Sequence, residues 1–166
     1  MAKVAVVMGS DSDFPVMGGA LEVFRKFGVE CEVRVISAHR TPDAAHGFAA
    51  GAEQNGIEVI LAAAGKAAHL AGVLAAYTTL PVIGIPIKSS TMDGLDSLLS
   101  TVQMPSGIPV ATVAINGAEN AALLAVQILS LRYPEFGEKM KAFKAEMARS
   151  VEAKDRALQD KLAQEL

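Results

Sequence analysis

Two runs of consecutive apolar residues, 4–8 (Val-Ala-Val-Val-Met) and 59–63 (Val-Ile-Leu-Ala-Ala), offer water no polar side. Successive strand residues point to opposite faces, so such a strand must be covered on both, as in a parallel sheet packed between helices. Each run ends in small or polar residues and is followed by a helical pattern. After the first, Asp13 can cap a helix with Pro15 in its first turn; Leu21, Phe24 and Phe27 share a face until Gly28 stops it.

The alternation continues along the chain. Residues 31–36 alternate apolar and charged side chains, which predicts a strand near a sheet edge. Thr41 and Pro42 open a helix to about Asn55, where Gly56 breaks it. A helix over 69–77 follows the third strand, and Pro81 leads into a fourth at 82–85. Beyond a polar loop to Asp93 come a helix at 95–102, a turn at 105–109, a fifth strand at 110–115 and a very apolar helix at 121–131. Five short strands with helical crossovers predict an α/β doubly wound parallel sheet in the order 2-1-3-4-5.

With 51% apolar residues, a chain of 166 fills one core, placed in an α/β domain at 1–133. From Pro134 the composition turns to Lys, Glu, Arg and Ala. Met140, Phe143, Met147, Val151, Leu158 and Leu162 form a narrow stripe, so 134–166 reads as a long amphipathic helical extension. Because the domain before it is complete, the stripe is expected to pack against another subunit.

Composition excludes several functions. A net charge of −3 with interspersed signs provides no footprint for nucleic acid. Cys31, alone, can form neither an intrachain disulfide nor a multi-cysteine metal site; it suits a reducing compartment and should pack as a small core hydrophobe. No apolar run approaches the ~18 residues of a membrane span, and the first eight residues are too short for a signal peptide. A soluble, cytoplasmic protein is expected.

Ligands of open parallel sheets bind outside the carboxyl ends of the strands, so the strand-exit loops are the candidate site. In Met8-Gly9-Ser10-Asp11-Ser12-Asp13, hydroxyls and free backbone N–H groups at a helix start suit a phosphate or sugar hydroxyls, although a Ser/Asp-rich turn taken alone is more often just helix capping. Neither a GxGxxG nor a GKS/T pattern is present. Ser37-Ala38-His39-Arg40-Thr41-Pro42-Asp43 sets an imidazole, which exchanges protons near neutrality, beside a guanidinium that can grip a phosphate at two points. Gly65-Lys66-Ala67-Ala68-His69-Leu70 brings small residues that permit close approach of a ligand, and its His69 reads as a ligand contact or as a core histidine. His46, in a helix without a reactive neighbour, reads as structural.

Together MGSDSD, SAHRTPD, AGKAAHLAG, DSLLSTVQMPSGIPVATVAI and NAALLAVQIL cover nearly the whole chain. They resemble the bacterial 5-(carboxyamino)imidazole ribonucleotide mutases, the catalytic subunits of phosphoribosylaminoimidazole carboxylase. The resemblance implies a flavodoxin-like three-layer sandwich assembled as a homo-octamer, with a C-terminal helix embracing a neighbour. It implies an isomerase of purine biosynthesis that moves a carboxylate from the exocyclic amine of an aminoimidazole ribonucleotide to the adjacent ring carbon, without metal, biotin, ATP or nicotinamide. His39 would be the acid-base catalyst. Ser10, Ser12 and Asp13 would hold the ribose-phosphate and Arg40 the phosphate; Ser37 and Ala38 would frame His39; Gly65, Ala67, His69 and Leu70 would line the base and carboxylate pocket.

Two residues depart from that pattern: Lys66 replaces a glycine and Ala71 a proline. The related animal-type carboxylases, which take free carbon dioxide, often carry a basic residue in this loop, whereas Arg40 and His69 match the mutases. A flavodoxin-like module binding flavin mononucleotide is the alternative of another class. It is poorly served by a chain with no Trp and with only Tyr77 and Tyr133, neither in a candidate loop.

Overall fold

The computed structural model describes residues 1–165. Strands β1 (Lys3–Met8), β2 (Glu30–Val35), β3 (Ile57–Gly65), β4 (Val82–Ile87) and β5 (Ala111–Thr112) form one parallel sheet in the order β2-β1-β3-β4-β5. The connections are α1 (Phe14–Phe27), α2 (Pro42–Gly51), α3 (Leu70–Ala76) and α4 (Leu95–Val102); α5 (Ala118–Leu129) and α6 (Pro134–Glu165) follow β5.

Strand alternation divides the core. Val4, Val6 and Met8 of β1 and Val59, Leu61 and Ala63 of β3 point into the layer of α1 and α5. Ala5, Val7, Ile60 and Ala62 point the other way, toward α2 and α3. Burial on both faces is the physical reason these strands carry no polar residue there. Edge strand β2 has no such constraint and leaves Val33 and Val35 exposed. Cys31 on β2 is only half buried; burial, with Glu32 beside it, pushes its thiol up to about 11.

Several local expectations need correction. Asp13 makes no capping hydrogen bond; Ser10 does, its Oγ accepting from the Ser12 N–H at 3.3 Å at the start of a single 3-10 turn, Asp11–Asp13. Thr41 likewise caps nothing, because its hydroxyl turns back to Ser37. Helix α2 stops at Gly51, and turns closed by Asn55 N–H to Gly51 O and Gly56 N–H to Glu53 O carry the chain into β3. Helix α5 starts at Ala118, three residues before the expected position.

The fifth strand shrinks from six expected residues to two, while the fourth extends through Pro86 to Ile87. One cause serves both. The Pro86 carbonyl accepts the Asn116 N–H at 2.8 Å, so the edge of Pro86 that lacks a donor faces the side where β5 has already ended.

Helix α4 is turned inside out. Ser97 and Thr101 are buried while Leu95, Leu99 and Val102 are exposed. The buried hydroxyls are satisfied within the chain: Ser97 Oγ donates to Ile87 O at 2.8 Å and Thr101 Oγ1 to Ser97 O at 2.7 Å. Close seating on β4 requires Gly84, where a Cβ would run into the Thr101 methyl and lie 3.0 Å from Val110 Cγ1.

At 32 residues, α6 is about 48 Å long. The expectation that its stripe packs on a neighbour from Met140 onward is corrected: Phe136 and Met140 are buried in this chain's own core, and Phe143 meets the Phe27 ring at 6.0 Å. Lys139 Nζ donates to Phe27 O at 2.6 Å, tying the helix to the carboxyl end of α1. Met147, Val151, Leu158 and Leu162 remain exposed.

Candidate active site

The chain crosses from one side of β1 to the other between β2 and β3, so the exits of β1 and β3 diverge there. Gly9 N–H donates to Ala63 O at 3.0 Å at that divergence. A cavity of about 670 Å³ opens above it, bounded by the loops after β1, β2, β3 and β4. All eleven residues singled out from the sequence line this cavity: Ser10, Ser12 and Asp13 from the first loop, Ser37, Ala38, His39 and Arg40 from the second, Gly65, Ala67, His69 and Leu70 from the third.

The first loop presents paired hydroxyls, Ser12 Oγ to Ser10 Oγ at 2.8 Å. Burial raises the pKa of the adjacent Asp13 carboxyl, against the lowering effect of hydrogen bonds from Ser12 and Ser10. Turned back on itself, the second loop is rigid: Thr41 N–H and Thr41 Oγ1 both donate to Ser37 O, at 2.8 and 2.9 Å, while Ser37 N–H donates to Thr41 Oγ1 at 3.0 Å. Arg40 lies across the gap between the loops, its Nη2 donating to Gly9 O at 3.1 Å and its Nε to Ser37 Oγ at 3.3 Å. The guanidinium plane is thereby fixed with donors to spare.

His39 and His69 meet inside the cavity. His39 Nε2 lies 2.7 Å from His69 Nδ1, with the rings nearly perpendicular at 83°. One nitrogen must donate and the other accept, so the contact holds a single proton between the rings. Both are exposed to the cavity. His46 stays outside, its ring 4.4 Å from that of Tyr77.

Lys66 also lines the cavity, with φ at 55°, a conformation that costs a non-glycine residue roughly 1–2 kcal/mol. Sequence reasoning misses the fourth loop, which contributes Lys88, Ser89 and Ser90, with Ile87 beneath them. Its signal is the one the other loops give, a cation and hydroxyls at a strand exit, obscured because Pro86 looks like the end of the strand. Lys88 Nζ pairs with Asp93 at 2.9 Å, and Ser89 Oγ donates to Asp96 at 2.8 Å. Among the described residues no group of three or more His, Cys, Asp and Glu is arranged to hold a metal ion, and no helix is long and apolar enough to cross a membrane.

The chain that carries this arrangement has relatives among known proteins. Residues 3–150 match the family described as AIR carboxylase. The chain is 62% identical to the N5-carboxyaminoimidazole ribonucleotide mutase of Pyrococcus abyssi over 90% of this chain and 86% of the relative. It is 55% identical to the mutase of the same name from Thermotoga maritima, over 96% and 93%. The crystal structure of Treponema denticola PurE superposes with a TM-score of 0.81 at 28% identity, covering 91% of this chain and 94% of that one. On the extent of these matches, the chain belongs to the AIR carboxylase family.

Proposed function

We propose that this protein converts 5-(carboxyamino)imidazole ribonucleotide to 4-carboxy-5-aminoimidazole ribonucleotide in purine biosynthesis, as an isomerase with His39 as acid-base catalyst. The observation that carries the catalytic assignment is the 2.7 Å contact of His39 with His69 in a cavity that also holds Arg40. Relatives that carry the mutase name are 55–62% identical across most of the chain and favour this reaction over direct carboxylation. The flavin alternative has no support in the cavity, where the two imidazoles are the only aromatic rings among the described residues.

The reaction conserves protons. Protonation of the carbamate nitrogen breaks its bond to the carboxyl carbon and frees carbon dioxide. The resulting amine pushes electrons onto the ring carbon, which attacks the carbon dioxide and then loses its own proton. One proton is given and one taken, a task for a group that cycles between two forms. Imidazole of His39 supplies and recovers it, and His69 holds that ring in one tautomer and orientation through the shared proton. Arg40, braced on Gly9 and Ser37, binds the phosphate; Ser10, Ser12 and Asp13 hold the ribose-phosphate. Gly65, Ala67 and Leu70 form the wall that confines carbon dioxide, with Ser37 and Ala38 framing the catalytic ring. These residues and the substrate account for the chemistry without a cofactor. Residues 1–133 form the catalytic unit, the first turns of the 134–166 extension pack on it, its exposed stripe serves assembly as a homo-octamer, and the enzyme works in the cytoplasm.

The test compares turnover of the carboxyamino substrate with that of the uncarboxylated nucleotide plus bicarbonate, in wild type and His39→Asn. Wild type should use the carboxyamino substrate by preference, and His39→Asn should lose at least ~100-fold in kcat while still binding nucleotide. Preference for bicarbonate would replace the mutase by the carboxylase, and near-normal turnover in the variant would remove His39 from the mechanism.

A further inference from the structure

We propose that Lys66 is a specificity-determining residue that binds the substrate's carboxylate; this rests on the nucleotide reading of the same cavity. Four observations converge on it. Lys66 occupies a left-handed backbone position, φ 55°, that glycine would take without strain, so its side chain must repay the choice. That residue lies on the cavity, at the exit of β3. Among the described residues its ammonium makes no ion pair, whereas Lys88, the other lysine of the cavity, is engaged by Asp93 at 2.9 Å. Its backbone is anchored, Ser100 Oγ donating to Lys66 O at 3.3 Å, and the His69 N–H donates to Ala67 O at 2.9 Å within the same loop.

The two cations of the cavity that have no carboxylate partner among the described residues therefore sit on different loops. Arg40 bridges the exits of β1 and β2, while Lys66 is on the β3 exit, held from the α4 side. A ribonucleotide with a phosphate at one end and a carboxylate on its base carries negative charge at two separated points, and the two cations match them. Lys66 lies in the loop that carries His69, the partner of His39, hence at the end where the carboxylate reacts. Reactant and product both carry that carboxylate, so the ammonium binds both more tightly than the uncarboxylated nucleotide. Its loss should act on KM more than on kcat.

The experiment measures calorimetric affinity for 4-carboxy-5-aminoimidazole ribonucleotide and for its uncarboxylated counterpart in wild type, Lys66→Met, Lys66→Gly and Lys66→Arg. Met and Gly variants should each lose about 10-fold or more for the carboxylated ligand, the scale of one hydrogen bond to a charged group, and less than about twofold for the other. Lys66→Arg should restore most of the difference. Lys66→Gly relieves the backbone and so guards against misfolding as the cause. Equal losses for both ligands, or no loss for either, would overturn the proposal. A wild type that binds both nucleotides and turns over the carboxyamino substrate keeps the functional reading intact in that event; one that binds neither removes both.

Discussion

Arg40→Lys tests the phosphate assignment most sharply, because the structure shows how the guanidinium is divided. Of its five N–H donors, one on Nε is given to Ser37 Oγ at 3.3 Å and one on Nη2 to Gly9 O at 3.1 Å. Three remain, fixed in one plane for a ligand. Lysine has three N–H groups on a single nitrogen at the end of a flexible stem; it cannot both brace itself on the two loops and present a planar pair. The expected loss is about one charge-assisted hydrogen bond, ~1.5–3 kcal/mol or roughly 10–150-fold in affinity. Titration calorimetry on the nucleotide and on the corresponding nucleoside, at matched ionic strength, isolates the phosphate. The nucleotide should weaken by that factor and the nucleoside by less than about twofold, with melting within about 2 °C of wild type because the abandoned acceptors are open to water. Equal weakening of both ligands, or an unchanged nucleotide affinity, would place the phosphate elsewhere.

Gly84→Ala should destabilise the domain by ~1–3 kcal/mol through overpacking, lowering the melting temperature by roughly 3–10 °C. Adding Thr101→Ser removes the clashing methyl and keeps the hydroxyl bond to Ser97 O, so it should recover most of that loss; failure to recover would show that α4 is not seated as described. Asp13→Asn should stabilise the ligand-free domain at neutral pH and weaken nucleotide binding. The sign follows from the raised pKa of Asp13: folding favours its protonated form, so the ionised carboxylate is a burden above the folded pKa, and the advantage of Asn should shrink as pH falls into the carboxylate range. Denaturant unfolding across that range checks it, and a gain that grows on acidification would refute the argument. A chain ending at Ala145 keeps Phe136, Met140 and Phe143 on the core but lacks the exposed stripe. By circular dichroism it should fold, and by light scattering form a smaller particle than the full chain; an undiminished particle would remove the stripe from assembly.

Much of the architecture was legible because two-sided burial leaves a strong mark: the buried runs of β1 and β3 admit no polar residue, and the charged alternation of β2 put it at the edge where it lies. Candidate site residues were legible as a group because each stands at a strand exit, and all eleven share the cavity. What could not be read depends on contacts distant in sequence. The shortness of β5 follows from Pro86 and Asn116, which meet only in the folded chain, and the proton-sharing approach of His39 to His69 exists only once β2 and β3 flank β1. Nor does the tail's composition reveal which end of its stripe is buried, since Met140 and Met147 look alike until Phe27 is placed beside Phe143.

Backbone strain supplies a further link between fold and site. Among the described residues, the three non-glycine residues with positive φ are Lys66, Asp93 and Asn116, and they follow β3, β4 and β5 in turn. All therefore lie at the carboxyl edge of the sheet. Two of them hold the fourth loop rather than a ligand: Asn116 Oδ1 accepts the Lys88 N–H at 2.9 Å, and Asp93 takes the Lys88 side chain. At the opposite end of the sheet the positive-φ positions fall to Gly28, Gly56 and Gly107, which adopt them freely. The well-packed core bears the cost of unfavourable conformations only at the end where ligand-binding loops must be aimed. Of the three strained residues, Lys66 alone has a side chain with no bond among the described residues, and the carboxylate contact proposed for it would supply one.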